Sequence, residues 1–520
     1  MIRRSVVLAL LSLLAAPLAA QRVPPPAPPI MPKGWDAYVA HALDEFHVPG
    51  LALAVVKDGK VVYAWGYGVR RMGDSTKVDT HTLFQIASNT KAFTDAMIAQ
   101  LADSGRISWD DPVTKYLPWF ALSDPWVTRE FTIRDLVTHR SGLGLGAGDL
   151  VWWHSDYSAE EVVRHLRAAK PVTSFRSGYA YDNVLYIAAG LVIEAVTGKS
   201  WSQNLQERIL TPLGMTETTS DIGTFSRPGA DAATPHGWSN GTVGISPRDT
   251  INNTLPAGGI ITNVGDLTKW MMAQLDSGKY AGGRLWSARE ARDMWSPQTI
   301  LPIGGFPPEF AALRPNFQAY GLGWFLRDYR GRKIVSHTGG LTGMTSQTTL
   351  VPDEHLGIVI LTNGESGIFE ALTWRLLDHF LGGGNTDWAR LFSDREARAR
   401  AQGDSIVRAA QASRDTTSHP SLPAAAYAGT YHDDLYGDAT ITMEAGGLVF
   451  RFAHSPAFTG DLKPWQHDTF VSHWRTRGVE DAYVTFTLNP DGSIDSFKMQ
   501  AVSPLADFSF DYQDLNFRKR

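Results

Sequence analysis

The sequence of 520 residues contains no cysteine at all. Disulfide bonds, a lipid-modified cysteine and a thiol nucleophile are therefore excluded, and the stability of the protein must come from the packing of its core. A strong charge of one sign is also lacking, since the formal net charge is only -5 and no stripe of basic residues is visible. Such a surface gives no electrostatic reason to expect nucleic-acid binding.

A long apolar run lies at the N-terminus. Arg3 and Arg4 precede the apolar residues 6–18, and Ala19 and Ala20 follow them. This pattern is typical of a cleavable secretory signal over residues 1–20, and the run is too short to span a bilayer comfortably. We therefore expect a secreted or periplasmic protein that has no integral membrane segment after cleavage.

Histidine is plentiful, with 15 residues, but the usual patterns for metal and nucleotide sites are missing. The sequence contains no H-E-x-x-H motif and no G-x-x-x-x-G-K-[ST] loop. Such motifs place metal ligands on one helix face or wrap backbone N–H groups around phosphates. The sequence therefore predicts neither a metal ion nor another cofactor.

Composition divides the rest of the chain into four segments. Residues 21–33 are rich in proline and are typical of an extended linker. Residues 34–385 are long enough for a large domain, and the charged, alanine-rich residues 386–422 predict a helical linker. Residues 423–520 alternate apolar and polar side chains between turn signals, which predicts a small all-β, barrel-like domain.

The large domain is predicted to begin and end with β-strands. Asp58-Gly59 separates two β-rich runs and predicts a tight antiparallel hairpin. Three strand patterns with short turns return between residues 333 and 361, and a helical pattern follows over residues 369–381. Helices and loops fill the middle. The predicted fold class is therefore α+β, with an antiparallel sheet flanked by helices and a separate helical subdomain.

The strongest candidate for chemistry is an S-x-x-K tetrad, formed by Ser88 and Lys91 at the start of a predicted helix. Residues three apart share one helix face, so the amine lies beside the hydroxyl. An adjacent base makes a serine hydroxyl nucleophilic, and the free N–H groups at a helix start favour negative charge. The tetrad alone carries little weight, because about one match is expected by chance and such serines are commonly helix caps.

Two further motifs follow the tetrad in order. Tyr181 and Asn183 form a Y-x-N motif directly before an apolar helical pattern, and His337 opens an H-T-G-G run that ends a predicted strand. Either motif alone could occur by chance and would carry little weight. Three motifs in this order, each at the boundary of a predicted element, are much harder to obtain by accident. The sequence therefore favours Ser88 as a nucleophile that Lys91 helps to activate.

With these motifs, the chain resembles the serine β-lactamase-related hydrolases over about residues 35–382. This group includes class C β-lactamases, D-alanyl-D-alanine carboxypeptidases, D-aminopeptidases and β-lactamase-fold esterases, and the C-terminal domain resembles the β-barrel extension of some members. The resemblance implies a serine hydrolase that forms an acyl-enzyme on an amide, peptide or ester bond. Further stretches that carry it are F-Q-I-A at 84–87, L-V-T-H-R-S-G-L at 136–143, T-P-L-G-M at 211–215, P-A-G-G at 256–259 and Y-G-L-G-W at 320–324.

The resemblance also implies a role for each residue of the first two motifs. Ser88 is expected to attack the carbonyl carbon of a small-molecule or peptide substrate. Lys91 and Tyr181 are both candidates for the general base, and the sequence leaves that choice open. Tyr181 is also the candidate for protonating the leaving group. Asn183 is expected to hydrogen bond the substrate and to hold Lys91.

The third motif is expected to line the substrate site. By resemblance, the N–H groups of Ser88 and Gly340 form the oxyanion hole, and Gly339 and Gly340 let the strand edge approach the substrate closely. Penicillin-recognising members usually carry lysine where this chain has His337. A histidine with an ordinary pKa is mostly neutral at pH 7, so it offers no lasting charge to a substrate carboxylate. Expected substrates therefore shift from β-lactams toward amides, peptides and esters.

Several other patterns have a structural explanation. The G-x-S-x-G match at residues 237–241 is expected in a loop, without the strand and helix of a nucleophile elbow. Trp152, Trp153 and Tyr157 could line a cleft, but aromatic clusters are more commonly core, and His139 is expected to be structural. The alternative function is a non-catalytic penicillin-binding-like protein that binds peptidoglycan fragments or forms assemblies. The oligomeric state is left open.

Overall fold

The computed structural model describes residues 30–239 and 241–520. The predicted signal peptide and residues 21–29 of the predicted linker lie outside the described residues. Long helices occupy both ends and the middle of the large domain. They are α1 (Trp35–Phe46), α2 (Thr90–Asp103), α3 (Val184–Thr197), α4 (Val264–Leu275), α5 (Ile368–Phe380) and α6 (Trp388–Ala412).

Within the described residues, eight antiparallel strands form the central sheet. The strands are β1 (Gly50–Lys57), β2 (Lys60–Gly68), β3 (Thr299–Ile300), β4 (Gln318–Tyr320), β5 (Phe325–Tyr329), β6 (Arg332–Leu341), β7 (Met344–Val351) and β8 (Leu356–Thr362). Their order is β2-β1-β8-β7-β6-β5-β4-β3. The predicted hairpin is present, and its turn residues Asp58 and Gly59 both have positive φ, 50° and 71°, as in a type I′ turn.

Strand β1 is buried on both of its faces, because helices cover both sides of the sheet. Leu51 and Leu53 belong to the core cluster that α1, α5 and α6 share with one face. Ala52 and Ala54 point to the other face, into the cluster that contains α2 and α4. Successive side chains of a strand alternate between faces, so the run of small and large apolar residues matches the two layers.

Helix α2 carries Lys91 and is buried along nearly its whole length. Phe93 of this helix stacks on Trp270 of α4, with ring centroids 3.8 Å apart. On its other side lie α3 and the short helix Leu255–Gly258. These two approach so closely that a Cβ on Gly190 would lie 2.1 Å from the Pro256 ring. This approach holds the backbone of the short helix against Lys91.

Shorter elements complete the large domain. Small antiparallel pairs join Phe84–Gln85 with Ile261–Thr262, His236–Ser239 with Thr242–Ile245, and Lys279–Tyr280 with Gly283–Arg284. The remaining α-helices are Pro125–Glu130, Ile133–Leu136, Asp149–Trp152, Ala159–His165, Trp201–Leu205, Thr211–Leu213, Ile222–Phe225, Ala288–Met294 and, before the barrel, Ala424–Tyr427. Residues 237–239 of the G-x-S-x-G match therefore lie in the first strand of such a pair, and the prediction of a loop there was wrong. The match is still not followed by a helix.

Helix α6 leads to a closed barrel of eight antiparallel strands. Its strands are β9 (Gly429–Asp433), β10 (Gly437–Glu444), β11 (Gly447–Phe452), β12 (Thr459–Gln466), β13 (Thr469–Trp474), β14 (Ala482–Leu488), β15 (Ile494–Ala501) and β16 (Asn516–Lys519). Aromatic rings fill the interior, where Phe497 contacts Phe450, Phe486 and Tyr431 at 4.9–5.4 Å between centroids. The predicted fold class, an α+β domain followed by a small barrel, is confirmed.

The barrel packs directly against the helical part of the large domain. The ring of Trp153 lies 5.2 Å from Phe458 and 5.7 Å from Phe510 of the barrel domain, and Tyr157 stacks on His454 at 4.1 Å. Trp153 is only 8% exposed. The tryptophan is thus a core residue, as the commoner interpretation predicted, but the core that it joins lies between the two domains.

Among the described residues, no single helix is both long and apolar enough to cross a membrane. A bent pair of helices, Val184–Thr197 and Trp201–Leu213, passes the same test of length and composition when its halves are taken together. The first of these helices, α3, is buried over most of its length inside the large domain.

Gly190→Ala tests the close approach of α3 to the short helix beside the site. Alanine is favoured over glycine in a helix by up to about 1 kcal/mol, but the added methyl group would overlap the Pro256 ring. We expect a lower free energy of unfolding, by about 1–3 kcal/mol, as is common for overpacked cores. The measurement is chemical denaturation of the full chain. The control is Gly304→Ala, where a Cβ meets nothing within 4 Å, and equal stability of both variants would contradict the packing argument.

Candidate active site

Ser88 lies in a tight 3₁₀ turn that leads directly into α2. The preceding residue, Ala87, has a φ of 47°, a left-handed conformation that costs a non-glycine residue about 1 kcal/mol or more. The Asn89 side chain donates to Ser346 Oγ at 2.8 Å, and Ser346 donates to the Ile86 carbonyl at 2.8 Å. The strained turn is therefore tied to strand β7, which fixes the position of Ser88 at the start of α2.

Lys91 is completely buried, and its amine points at Ser88. Nζ donates to Ser88 Oγ at 3.0 Å, to Asn183 Oδ1 at 2.8 Å and to the Ala257 carbonyl at 3.0 Å. Loss of hydration lowers the pKa of Lys91 to about 7, and nearby carboxylates such as Asp149 oppose this shift only in part. At neutral pH a large share of the side chain is therefore an uncharged amine, which can accept a proton.

The ring of Tyr181 lies against the amine of Lys91. Its ring centroid lies 4.7 Å from Lys91 Nζ, and its hydroxyl interacts with Ser88. Burial raises the pKa of Tyr181 well above its usual value, so the phenol stays protonated at neutral pH. The ring packs between His139, at 4.2 Å between centroids, and Phe508 of the barrel domain, at 5.8 Å. A protonated phenol in this place is suited to donating a hydrogen bond or a proton.

Asn183 connects the lysine to a buried carboxyl group. It directly precedes α3, accepts from Lys91 through Oδ1, and donates from Nδ2 to Asp149 Oδ2 at 2.9 Å. Asp149 also accepts from the Trp152 indole at 2.7 Å and from the Ser509 hydroxyl at 2.8 Å. Burial raises the pKa of Asp149 to about 6 in spite of these donors. The amide is thus held in one orientation, with its oxygen toward the amine.

Two further buried carboxyl groups, Asp95 and Asp182, face Lys91. Burial raises the pKa of Asp182 to about 8 and that of Asp95 well above its usual range, although the Tyr186 hydroxyl donates to Asp95 at 3.1 Å. Asp182 is therefore largely protonated at neutral pH. Where they are ionised, these groups and Asp149 favour the ammonium form of Lys91, but they offset only part of the effect of burial on its pKa.

His337 borders the site and is only 1% exposed. Its Nδ1 lies 2.6 Å from the Thr338 carbonyl oxygen, so Nδ1 carries the proton, and Nε2 can accept from the Tyr320 hydroxyl at 3.1 Å. Burial, together with the charge of Lys91, lowers the pKa of His337 to about 3. The imidazole is therefore uncharged at pH 7, as the sequence argument assumed. Its contact with substrate stays a prediction.

The glycines of the third motif lie on an open strand edge. Strand β6 continues through the motif to Leu341, further than the sequence predicted, but β5 pairs with it only as far as Ser336. Gly339 fits closely against the turn that carries Ser88, because a Cβ there would lie 2.1 Å from the Ile86 carbonyl oxygen. Gly340 is exposed and faces open space. The edge beside Ser88 thus leaves room for a substrate.

The structure brings the first two sequence motifs into one hydrogen-bonded network and places the third along its border. Sequence reasoning missed Asp149, Ser509 and Tyr320. Asp149 and Ser509 are 360 positions apart and carry no motif, so no local signal connects them. Within residues 30–239 and 241–520, no group of three or more His, Asp or Glu side chains is arranged to hold a metal ion.

Comparison with curated proteins finds related hydrolases. The chain is 31% identical to "Unguisins hydrolase ungD" of Aspergillus violaceofuscus over 443 residues, which cover 79% of this chain and 76% of the relative. It is 30% identical to "Unguisins hydrolase ungD'" of Aspergillus campestris, over 88% of this chain and 86% of the relative. "Protein flp" of Staphylococcus aureus is 28% identical over 66% of each chain.

Solved structures share the fold of both domains. The octameric penicillin-binding protein homologue from Pyrococcus abyssi superposes with a TM-score of 0.61 at 21% identity, over 90% of this chain and 97% of that one. SurE superposes with a TM-score of 0.54 at 20% identity, over 93% and 98%. At this level of identity the likeness concerns the fold alone.

Family models match nearly the whole described chain. Residues 413–519 match a domain of unknown function, DUF3471, which covers the barrel. Residues 35–382, which include all three motifs, match the model described as Beta-lactamase. With hydrolases among its relatives and a penicillin-binding-protein-like fold, the chain belongs to the Beta-lactamase family.

Proposed function

We propose that the protein is a secreted or periplasmic serine hydrolase that forms an acyl-enzyme at Ser88 on an amide, peptide or ester substrate. The observation that carries the proposal is the 3.0 Å contact between Ser88 Oγ and the buried amine of Lys91. A lysine with a pKa near neutrality is a base of suitable strength for a serine hydroxyl. Relatives named as hydrolases favour catalysis over the non-catalytic alternative.

The geometry favours different roles for the two candidate bases, Lys91 and Tyr181. The neutral amine of Lys91 takes the proton of Ser88 while Oγ attacks the carbonyl carbon of the substrate. The backbone N–H groups of Ser88 and Gly340 stabilise the oxyanion of the tetrahedral intermediate. Tyr181, which keeps its proton, donates it to the leaving amine or alcohol, and Lys91 returns its proton to the phenol. Water then releases the acyl group by the reverse sequence.

The proposed substrate class follows from the absence of positive charge on His337, the first residue of the third motif. Because His337 is neutral and buried, it offers no cation to a terminal carboxylate of the substrate. The open glycine edge of β6 can accept an extended backbone irrespective of charge. These features favour a neutral amide, peptide or ester group over a β-lactam or a free D-Ala carboxylate.

Ser88→Ala tests the identity of the nucleophile. A fluorophosphonate probe is expected to label the wild-type protein and to leave the variant unlabelled, and turnover is expected to fall by roughly 10⁴–10⁶. Ser239→Ala, in the G-x-S-x-G match, is the control and should label like the wild type. Equal labelling of Ser88→Ala and wild type would contradict the assignment. A wild type that is not labelled at all would favour the non-catalytic alternative.

The pH dependence of acylation tests the role of Lys91. If the uncharged amine is the base, the rate of acylation with a neutral ester should rise with pH and level off above an apparent pKa near 7. Lys91→Arg keeps a permanent positive charge and should lower the rate by about 10²–10⁴. The control, Lys199→Arg, alters an exposed ion pair with Glu207 and should behave like the wild type. A profile that rises only near pH 10 would show that Lys91 is charged in the working enzyme.

A matched pair of substrates tests whether the site requires a terminal carboxylate on its substrate. An acylated D-peptide with a free terminal carboxylate and the same peptide with a terminal amide differ only in that charge. We expect similar kcat/KM values for the two, because the uncharged His337 occupies the position at which the family usually has lysine. One charge-assisted hydrogen bond is worth about 1.5–3 kcal/mol, which corresponds to tenfold or more. A tenfold preference for the carboxylate would therefore reveal a cation that the proposal lacks.

A further inference from the structure

The barrel domain reaches into the active site through one loop. This segment, residues 502–515, connects β15 to β16 and is called the 502–515 loop here. With Gly144 and Leu145 of the large domain it lines a cavity of about 460 Å³. The ring of Phe508, in the same loop, contacts the ring of Tyr181. The loop therefore borders the group that is proposed to protonate the leaving group.

The 502–515 loop is fixed to the segment of the large domain that carries Asp149. The buried carboxylate of Asp511 accepts from the Gly148 N–H at 2.9 Å and from the Leu150 N–H at 3.4 Å, and the Tyr436 hydroxyl of the barrel also donates to it. Together with the aromatic contacts of Trp153, these bonds dock the two domains. The docking of the two domains thus has several contacts besides the one that Ser509 makes.

Ser509 makes a different contact. Its hydroxyl donates to Asp149 Oδ2 at 2.8 Å, the same oxygen that accepts from Asn183 at 2.9 Å. The chain of hydrogen bonds continues from Asn183 to Lys91 at 2.8 Å and from Lys91 to Ser88 at 3.0 Å. An unbroken series of contacts therefore joins a hydroxyl of the barrel to the nucleophile.

We propose that Ser509 is a positioning residue of the active site, supplied by the barrel, which orients Asp149 and, through Asn183, the amine of Lys91. A carboxyl group with a single fixed orientation presents one oxygen to the Asn183 amide, and the amide then presents its own oxygen to the amine. Without Ser509, Oδ2 loses one of its two donors and the Asp149 side chain gains freedom to rotate. The inference rests on the proposed function, because it concerns the base of that same reaction.

The Ser509 hydroxyl also affects the charge of Asp149 and, through it, the pKa of Lys91. Ser509 donates to the carboxylate form of Asp149 and so favours it. Removing the hydroxyl raises the pKa of Asp149, so that less negative charge faces the ammonium form of Lys91. The pKa of Lys91 then falls. Among the described residues, other titratable groups near the amine, Asp149 or the hydroxyl include Asp95, Asp182, His139, Tyr181, Tyr186, His337, Asp507 and Asp511.

The experiment compares variants of the full chain in the hydrolysis of a neutral ester. Ser509→Ala is expected to lower kcat by about tenfold, as for the loss of one hydrogen bond to a charged group, with little change in KM. The acid limb of its pH profile should move to lower pH. Ser509→Thr keeps a hydroxyl and should restore both properties. The control, Ser503→Ala, removes a hydroxyl that only accepts from the Leu505 N–H in the same loop, and it should behave like the wild type.

A double-mutant cycle then tests the route of the effect. In an Asp149→Asn background, adding Ser509→Ala should change kcat by much less than tenfold, because the two residues act in series. Independent effects would overturn the proposal, and so would an unchanged kcat and pH profile in Ser509→Ala. A lower melting temperature with an unchanged pH profile would show a merely structural role and would also overturn it. Fluorophosphonate labelling of the wild type separates these failures from failure of the proposed function, since they leave that labelling intact.

Discussion

Exclusion of water from the amine of Lys91 is the constraint on which the rest of the site depends. An ammonium group that cannot be hydrated must either find negative charge or lose its proton. The surrounding carboxyl groups are buried as well, which raises their pKa values, and their charge offsets the effect of burial on the pKa of Lys91 only in part. The amine therefore lies near its own titration point, hydrogen bonded to Ser88. Helix α2, the close approach at Gly190 and the strained turn at Ala87 all serve to keep it there.

Much of the fold could be predicted from the sequence, because its signals are local. The turn at Asp58-Gly59 needs positive φ, the strand patterns between residues 333 and 361 alternate or run apolar, and the barrel strands alternate. The S-x-x-K spacing likewise placed Ser88 beside Lys91, since one helical turn fixes that distance. Around the G-x-S-x-G match the prediction of a loop was wrong, because residues 236–239 and 242–245 pair as antiparallel strands.

The remaining features arise from contacts between distant parts of the chain. Asp149 lies in none of the sequence motifs, and its partner Ser509 belongs to another domain, so the two residues are brought together only by the tertiary structure. The burial of His337 could not be predicted from the sequence either, because the alternation of residues along a strand does not show which face of the sheet is covered by other elements. Its effect on charge was nevertheless anticipated from the residue type. Tertiary contacts thus make the barrel domain a neighbour of the network that holds the Lys91 amine.

The charge of Lys91 at neutral pH can be measured on the free protein. Selective ¹³C labelling of lysine, with Lys91→Met to assign the resonance, allows the amine to be titrated by NMR spectroscopy. If Lys91 is an uncharged base, we expect a midpoint near pH 7, about three pH units below that of exposed lysines. A midpoint near 10.4, the ordinary value, would mean that the amine remains charged and that another group must take the proton from Ser88.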